Sequence, residues 1–179
     1  MDILRAPWRM EYIDSSNRTD GQKKNIESGF VEIIANCIFC VYAADDKDEE
    51  NLVLARGKSC YVIMNRYPYS VGHILIAPYR HTADLISLTD EEKLEILTLA
   101  QQSVSILQKT MNADGINIGM NLGRVAGAGI DTHLHLHVVP RWNGDINFMS
   151  VTAETKVLPE ALSVTWLKIF EEWKKWDKL

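Results

Sequence analysis

Residues 133 to 142 read His-Leu-His-Leu-His-Val-Val-Pro-Arg-Trp, and this stretch decides the fold. Histidine alternates with apolar residues at the period of a β-strand, so His133, His135 and His137 are predicted to lie on one face. Leu134, Leu136 and Val138, which alternate with the histidines, are predicted to face the core. Imidazole is the side chain whose ordinary pKa is nearest neutrality, which suits it to act as nucleophile, acid or base. The stretch therefore predicts a reactive strand.

Three histidines on one face are also compatible with a structural role or with a metal site. A purely structural role is disfavoured because three polar rings on an otherwise apolar strand need many hydrogen-bond partners. A three-histidine metal site is disfavoured by spacing, because same-face residues lie about 6.6 Å apart and the outer pair about 13 Å apart. Metal–nitrogen bonds are only about 2 Å long. Two of the three histidines can still share an ion, which leaves at least one for another task.

The remaining periodicity predicts an α+β fold with an antiparallel sheet, since the strands are mostly grouped and helices lie between and after them. The predicted strands are Leu52–Arg56, Cys60–Asn65, Gly72–Pro78, Ile116–Leu122 and Leu134–Pro140.

Two main helices are predicted. Thr89 and Glu92 form the sequence signature of a capping box at the start of the first. Its predicted apolar stripe comprises Leu94, Leu97, Val104, Leu107 and Met111. The second begins near Pro159, and its stripe, assigned to core or dimer packing, comprises Leu162, Trp166, Phe170 and Trp173.

Length and composition predict one compact domain over residues 1–179, with a polar N-terminal arm within 1–30 and a C-terminal helix over about 159–176. A net charge of −5 argues against electrostatic binding to nucleic acid or to an anionic membrane. No apolar run is long enough to span a bilayer. Three cysteines without a disulfide pattern predict a reducing compartment, the cytoplasm. The acidic segment 43–51 is interpreted as a solvated loop in preference to a metal site.

Several further motifs occur in order with the three histidines. They are Cys37-Ile38-Phe39-Cys40, Asn65-Arg66-Tyr67-Pro68, Gly72-His73 through Pro78, Gly119 to Gly123, Ala126 to Gly129, and Pro140-Arg141-Trp142. Together they resemble the histidine triad (HIT) family of nucleotide hydrolases and transferases over about residues 36–149. The Pro-Arg-Trp end is similar to its dinucleoside polyphosphate branch, which includes the fragile histidine triad hydrolases and the bacterial diadenosine tetraphosphate phosphorylases. The opening Ala6-Pro7-Trp8-Arg9 is similar to the phosphorylases. The resemblance implies a five-stranded HIT-like sheet, joined edge to edge in a homodimer.

The resemblance also implies a structural zinc ion. Cys37 and Cys40 supply half of a tetrahedral site, and His81 and His133 match the family positions that complete it. The alternative is two buried free thiols and a surface histidine. Cys60 is interpreted as a packing residue.

For catalysis, the resemblance implies a nucleotide substrate and no organic cofactor. His135 matches the family nucleophile, which attacks the α-phosphorus and forms a nucleotidyl-histidine intermediate. His137 matches a residue that contacts the phosphates near the leaving group. His73 matches a further active-site histidine, although it could be a surface residue at a strand end. The nucleotide- and phosphate-binding candidates are Asn65, Asn121, Gly127, Ala128 and Gly129, together with His137.

The acceptor in the second step decides the activity. The related phosphorylase pattern has a Gly-Ser pair where this chain has Ala128-Gly129, so a hydroxyl that helps to seat phosphate is missing. We therefore expect a hydrolase of dinucleoside polyphosphates such as diadenosine tetraphosphate. The alternatives are a phosphorylase, which uses inorganic phosphate, and a nucleotide-binding sensor.

Overall fold

A five-stranded antiparallel sheet forms the centre of the computed structural model, which describes residues 36–145 and 159–176. The arm predicted within residues 1–30 lies outside the described residues, as do the last residues of the predicted core. The elements are α1 Ile38–Ala44, α2 Asp48–Asn51, β1 Val53–Arg56, β2 Cys60–Met64, β3 Ile74–Pro78, α3 Asp90–Met111, β4 Gly115–Met120, a 3₁₀ turn Arg124–Ala126, β5 Leu136–Arg141 and α4 Leu162–Trp176. The predicted α+β class is confirmed.

The sheet order β1-β2-β3-β5-β4 places the histidine-bearing strand between two others. Leu75 of β3 and Gly119 of β4 both pair with His137 of β5. β5 begins at Leu136, two residues later than predicted, so His133 and His135 lie in the segment that leads into it. These two side chains are consequently held by tertiary contacts as well as by the sheet.

Helices α3 and α4 cover one face of the sheet. Leu134, Leu136 and Val138 point into this layer, as predicted. The predicted stripe of α3 is partly wrong, because Leu94 and Leu97 are 70% and 61% exposed. The residues that α3 buries are Glu92, Ile96, Leu99, Ala100, Ser103, Ile106 and Leu107.

The error has a physical reason, since α3 carries large apolar residues on more than one face. The true inner face includes a serine, which a search for apolar residues passes over. The Ser103 hydroxyl donates to the carbonyl of Leu99 at 2.7 Å, so its burial leaves no unmet donor.

The ends and partners of the helices agree better with the sequence. Thr89 and Glu92 form the predicted capping box at the start of α3. Trp166 and Trp173 of α4 are buried in the core, which settles the aromatic stripe as core packing. The indole N–H of Trp166 donates to the carbonyl of Val53 at 3.0 Å and ties α4 to β1. Among the described residues, no helix has the length and apolarity needed to cross a membrane.

The opposite face of the sheet is covered by α1 and carries the candidate site. Phe39, Tyr61 and Ile63 belong to the apolar cluster there. The acidic segment is more ordered than a solvated loop, because part of it forms α2. The Arg56 side chain donates to Asp48 and to the carbonyl of Ala43, which binds this segment to β1. Charge pairing across the chain accounts for the difference.

Candidate active site and metal centre

Four side chains converge where α1 meets the segment before β5. The ligand atoms of Cys37, Cys40, His81 and His133 all lie within 4.8 Å of one another. Cys37 Sγ is 3.3 Å and Cys40 Sγ 3.5 Å from His133 Nδ1, and Cys40 Sγ is 3.3 Å from His81 Nδ1. A tetrahedral ion with bonds of about 2.0–2.3 Å places its ligand atoms about 3.3–3.8 Å apart. The described residues therefore contain a cluster able to bind a metal ion.

Burial governs the protonation of this cluster. Burial, and then the neighbouring Cys37, raises the pKa of the Cys40 thiol to about 12. Burial lowers the pKa of His133 to about 4 and also lowers the pKa of His81, so both rings stay neutral, the form that binds metals. His133 Nε2 lies 2.9 Å from the carbonyl oxygen of Pro78, which can only accept. Nε2 therefore carries the hydrogen, and the Nδ1 lone pair faces the cysteines.

His135 is buried and held in one tautomer. Its Nδ1 lies 2.8 Å from the backbone carbonyl oxygen of His133, so Nδ1 carries the hydrogen and Nε2 the lone pair. Burial lowers the pKa of His135, which keeps the ring neutral near pH 7. The Phe39 ring packs against it, with centroids 4.8 Å apart. These contacts provide what a nitrogen nucleophile needs.

His73 and His137 are joined by a hydrogen bond. His73 is fully buried, which excludes the surface alternative. Its Nδ1 accepts from the backbone N–H of Tyr69 at 3.0 Å and from the amide of Asn65 at 3.2 Å. The hydrogen of a neutral His73 is therefore on Nε2, which donates to His137 Nδ1 at 3.0 Å. The rings of His135 and His137 are in contact, with centroids 4.9 Å apart, so the three form one group.

A cavity of about 210 Å³ opens in front of this group. Its lining includes His135, His137, Asn65 and Gly129, four of the residues predicted for the site. The further lining residues are Ile38, Phe39, Tyr42, Asn51, Ile63, Met64, Arg66, Tyr67, Tyr69, Leu75 and Ile130. A mostly apolar wall with a few convergent polar groups is typical of a small-molecule site.

The glycine-rich loop, residues 126–129, differs in part from its predicted phosphate-binding role. The backbone N–H groups of Ala126, Gly127 and Ala128 donate to carbonyls within the loop. Of the three phosphate-binding candidates predicted in this loop, Gly129 is the one that borders the cavity. Gly127 has a φ of 91°, which favours glycine. The Asn121 amide donates to the Gly127 carbonyl at 3.3 Å, so it supports the loop directly. Its predicted phosphate contact stays a prediction.

Sequence reasoning missed several residues that position the site. Phe39 packs on the rings of His133 and His135, and the Pro78 carbonyl fixes His133. Tyr69 holds His73 through its backbone. Phe39 lies inside the Cys-x-x-Cys motif, which was a usable signal. The backbone contacts left no signal, because any residue type supplies them.

Comparison with known proteins places the chain in a family. Residues 46–144 match the model of the HIT domain, and the chain belongs to the HIT domain family. A protein named AP-4-A phosphorylase from Mycobacterium tuberculosis H37Rv is 36% identical over 174 residues, 96% of this chain and 84% of that protein. An uncharacterised HIT-like protein of Saccharolobus solfataricus is 31% identical over 63% of this chain and 79% of its own length.

Solved structures agree on the fold. A zinc-bound histidine triad family protein from Mycobacterium smegmatis superposes with a TM-score of 0.65 at 25% identity, covering 81% of this chain and 98% of that one. The diadenosine triphosphate hydrolase of Plasmodium falciparum superposes with a TM-score of 0.59 at 19% identity, over 95% of each chain. The second likeness concerns the fold alone.

Proposed function

We propose that this protein is a diadenosine polyphosphate phosphorylase, an adenylyltransferase that uses inorganic phosphate as acceptor. The observation that supports this best is the fixed tautomer of His135. Its Nε2 carries the lone pair and can attack an α-phosphorus bound in the cavity. The similarity to AP-4-A phosphorylase over 96% of this chain supports phosphate as the acceptor. The hydrolase expected from Ala128-Gly129 is less well supported.

The proposed reaction has two displacements at one phosphorus. In the first, His135 Nε2 forms a bond to the α-phosphorus, and the bond to the bridging oxygen breaks. Diadenosine tetraphosphate thereby releases ATP. In the second, an oxygen of inorganic phosphate attacks the same phosphorus, the phosphorus–nitrogen bond breaks, and ADP leaves. Throughout, Nδ1–H stays bonded to the His133 carbonyl, which stabilises the positive charge of the adenylylated ring.

The neighbouring groups are assigned supporting roles. His137, fixed by His73, is assigned to contact the phosphates at the leaving group. Asn65 borders the cavity and is assigned to the ribose. The backbone N–H of Gly129 is assigned to phosphate, which needs no hydroxyl at position 128 or 129. Steric room beside a glycine lets phosphate approach the chain closely.

Zinc is the proposed occupant of the Cys37, Cys40, His81 and His133 cluster. Two thiolates and two neutral imidazoles are a donor set that suits zinc, and the likeness to a zinc-bound relative supports it. Four protein ligands would leave no position for substrate, so the ion would be structural. Its contribution is to fix His133, whose carbonyl holds His135.

A homodimer and a cytoplasmic location complete the proposal. β4 is an edge of the sheet, and Ile118 on it is 50% exposed. An exposed edge strand with an apolar residue is a ready pairing surface for a second copy. A reducing compartment keeps the two cluster cysteines available to zinc.

The decisive experiment is turnover of diadenosine tetraphosphate with and without ³²P-labelled phosphate. We expect ATP and labelled ADP, formed only when phosphate is present. His135→Ala should lower the rate by on the order of 10⁴-fold, as removal of other nucleophiles does. ATP and AMP formed in phosphate-free buffer would establish the hydrolase instead. Nucleotide binding without turnover in either buffer would indicate a sensor.

A further inference from the structure

Asn51 is a polar side chain in the cavity wall that the proposed chemistry does not use. It ends α2, is only 9% exposed, and borders the same cavity as His135 and His137. A nearly buried amide is costly unless its donors and acceptor are satisfied. What the cavity binds therefore depends on which end of the Asn51 amide faces it.

The orientation of this amide is fixed by chemistry. Asn51 Nδ2 donates to Asp45 Oδ2 at 3.0 Å. This hydrogen bond is the main cause that lowers the pKa of Asp45, so Asp45 is an anion at neutral pH and can only accept. A flipped amide would set two oxygens against each other. Nδ2 must therefore face Asp45, and Oδ1 points the other way.

Oδ1 is thus available as an acceptor. Among the described residues, no donor contacts Oδ1. Oδ1 is also not among the partnerless side-chain atoms that are sealed from solvent, so a bound molecule can reach it. Because Asn51 lines the cavity and one N–H of Nδ2 is directed at Asp45, we take Oδ1 to be the end of the amide that faces the cavity. This end of the site presents a hydrogen-bond acceptor to whatever occupies it.

The order of the lining residues along α1 gives the direction of the cavity. Phe39 of α1 contacts His135, Tyr42 follows about one turn later, and Asp45 caps the end of α1. The cavity therefore runs along α1 from His135 towards Asn51.

The strand register gives the same result. It sets His137, Leu75, Ile63 and Val53 in one row across the sheet, and Asn51 precedes Val53 by two residues. Three strand spacings of about 4.8 Å separate the ends of that row. A nucleotide with its α-phosphorus at His135 would extend its base over apolar Ile63 to the Asn51 end.

We infer that Asn51 is a specificity-determining residue that selects a purine with an amino group at position 6. Its Oδ1 accepts a hydrogen bond from the exocyclic amine of adenine. Guanine or hypoxanthine in the same orientation would bring a keto oxygen against that acceptor and leave both unpaired. The inference deepens the proposed function, because it rests on the nucleotide lying in this cavity with its phosphate at His135.

The test is calorimetric binding of AMP and IMP, which differ in the group at position 6 and the N1 protonation that follows from it. We expect wild type to bind AMP about ten- to a hundredfold more tightly than IMP. Asn51→Leu should weaken AMP and reduce the preference to within about threefold. Asp45→Asn keeps Asn51 but removes the anion that orients it, so the preference should also fall. Gln101→Leu removes an exposed amide on α3, on the opposite face of the sheet, as the matched control and should leave the preference unchanged.

Melting temperatures accompany each variant, and Asp45→Asn keeps the test valid if Asn51→Leu does not fold. Equal binding of AMP and IMP by wild type would overturn the inference, as would an unchanged preference in Asn51→Leu and Asp45→Asn, or no binding of either nucleotide. Discrimination that follows Asn51 without any turnover of diadenosine tetraphosphate would uphold the inference and refute the phosphorylase.

Discussion

Removing one ligand of the four-residue cluster should release its metal and destabilise the protein. Cys37→Ser replaces a buried sulfur that lies 3.3 Å from His133 Nδ1 with a smaller and harder oxygen. A ligand present at about 1,000 times its Kd stabilises the folded state by about 4 kcal/mol. In a chain of this size, each kcal/mol shifts the melting temperature by about 2–4 °C, so the expected loss is about 8–16 °C.

Cys60→Ser is the matched control, since Cys60 is also fully buried but lies on β2 outside the cluster. It should keep about one zinc per chain and lose only about 1 kcal/mol. The assays are elemental analysis of protein made with zinc available, and thermal unfolding with and without a chelator. Turnover should fall far less in Cys37→Ser than in His135→Ala, because zinc is not assigned to the reacting phosphorus. Absence of zinc from wild type would refute the reasoning, as would equal zinc content in the two cysteine variants.

Two further predictions concern stability and assembly. Arg80, whose guanidinium pairs with Glu92, is the main cause that lowers the pKa of Glu92 below its ordinary value of 4.5. This pairing, together with the Thr89 cap, stabilises the fold above about pH 4.5, and the stabilisation is lost as the pH falls through the lowered pKa of Glu92. In Glu92→Gln, the free energy of unfolding should therefore lack this dependence on pH. Identical acid-unfolding profiles of wild type and variant would contradict the prediction. Ile118→Asp on β4 should convert the dimer into a 20.3 kDa monomer, measured by light scattering. The control Val164→Asp, which changes an exposed apolar residue on α4, should leave the dimer intact. A monomeric wild type would contradict the prediction.

The parts predictable from sequence are those that short-range periodicity determines. The alternation around His135 and the capping box at Thr89 each depend on neighbours in the chain. The capping box forms as expected, and the strand forms as well, although it begins only at Leu136. The family motifs also group the four cluster residues, although these lie far apart in the chain. Strand ends are predicted less accurately, because the last residues of a strand depend on what the partner strand offers.

The parts that sequence did not predict depend on contacts between distant residues. Leu94 is exposed and Ser103 buried because α3 packs on the sheet through a face that composition does not identify. The sequence predicts Asn51 in an acidic loop, yet Asp45 holds it at the cavity. Arg56 orders the same segment through backbone carbonyls, which leave no trace in the sequence. The polarity of a short segment predicts that it is exposed. Contacts with residues distant in the chain can bury it instead.

His133 joins two functions in one residue. Its ring faces the cluster through Nδ1, while its backbone carbonyl holds the ring of His135. If nucleotide binding and metal binding each favour the same position of this residue, the two equilibria are linked. Thermodynamic reciprocity then requires that a bound nucleotide raise the affinity for the metal by the same factor by which the metal raises the affinity for the nucleotide. Cellular zinc supply would in that case set the fraction of this protein that is ready to bind its substrate.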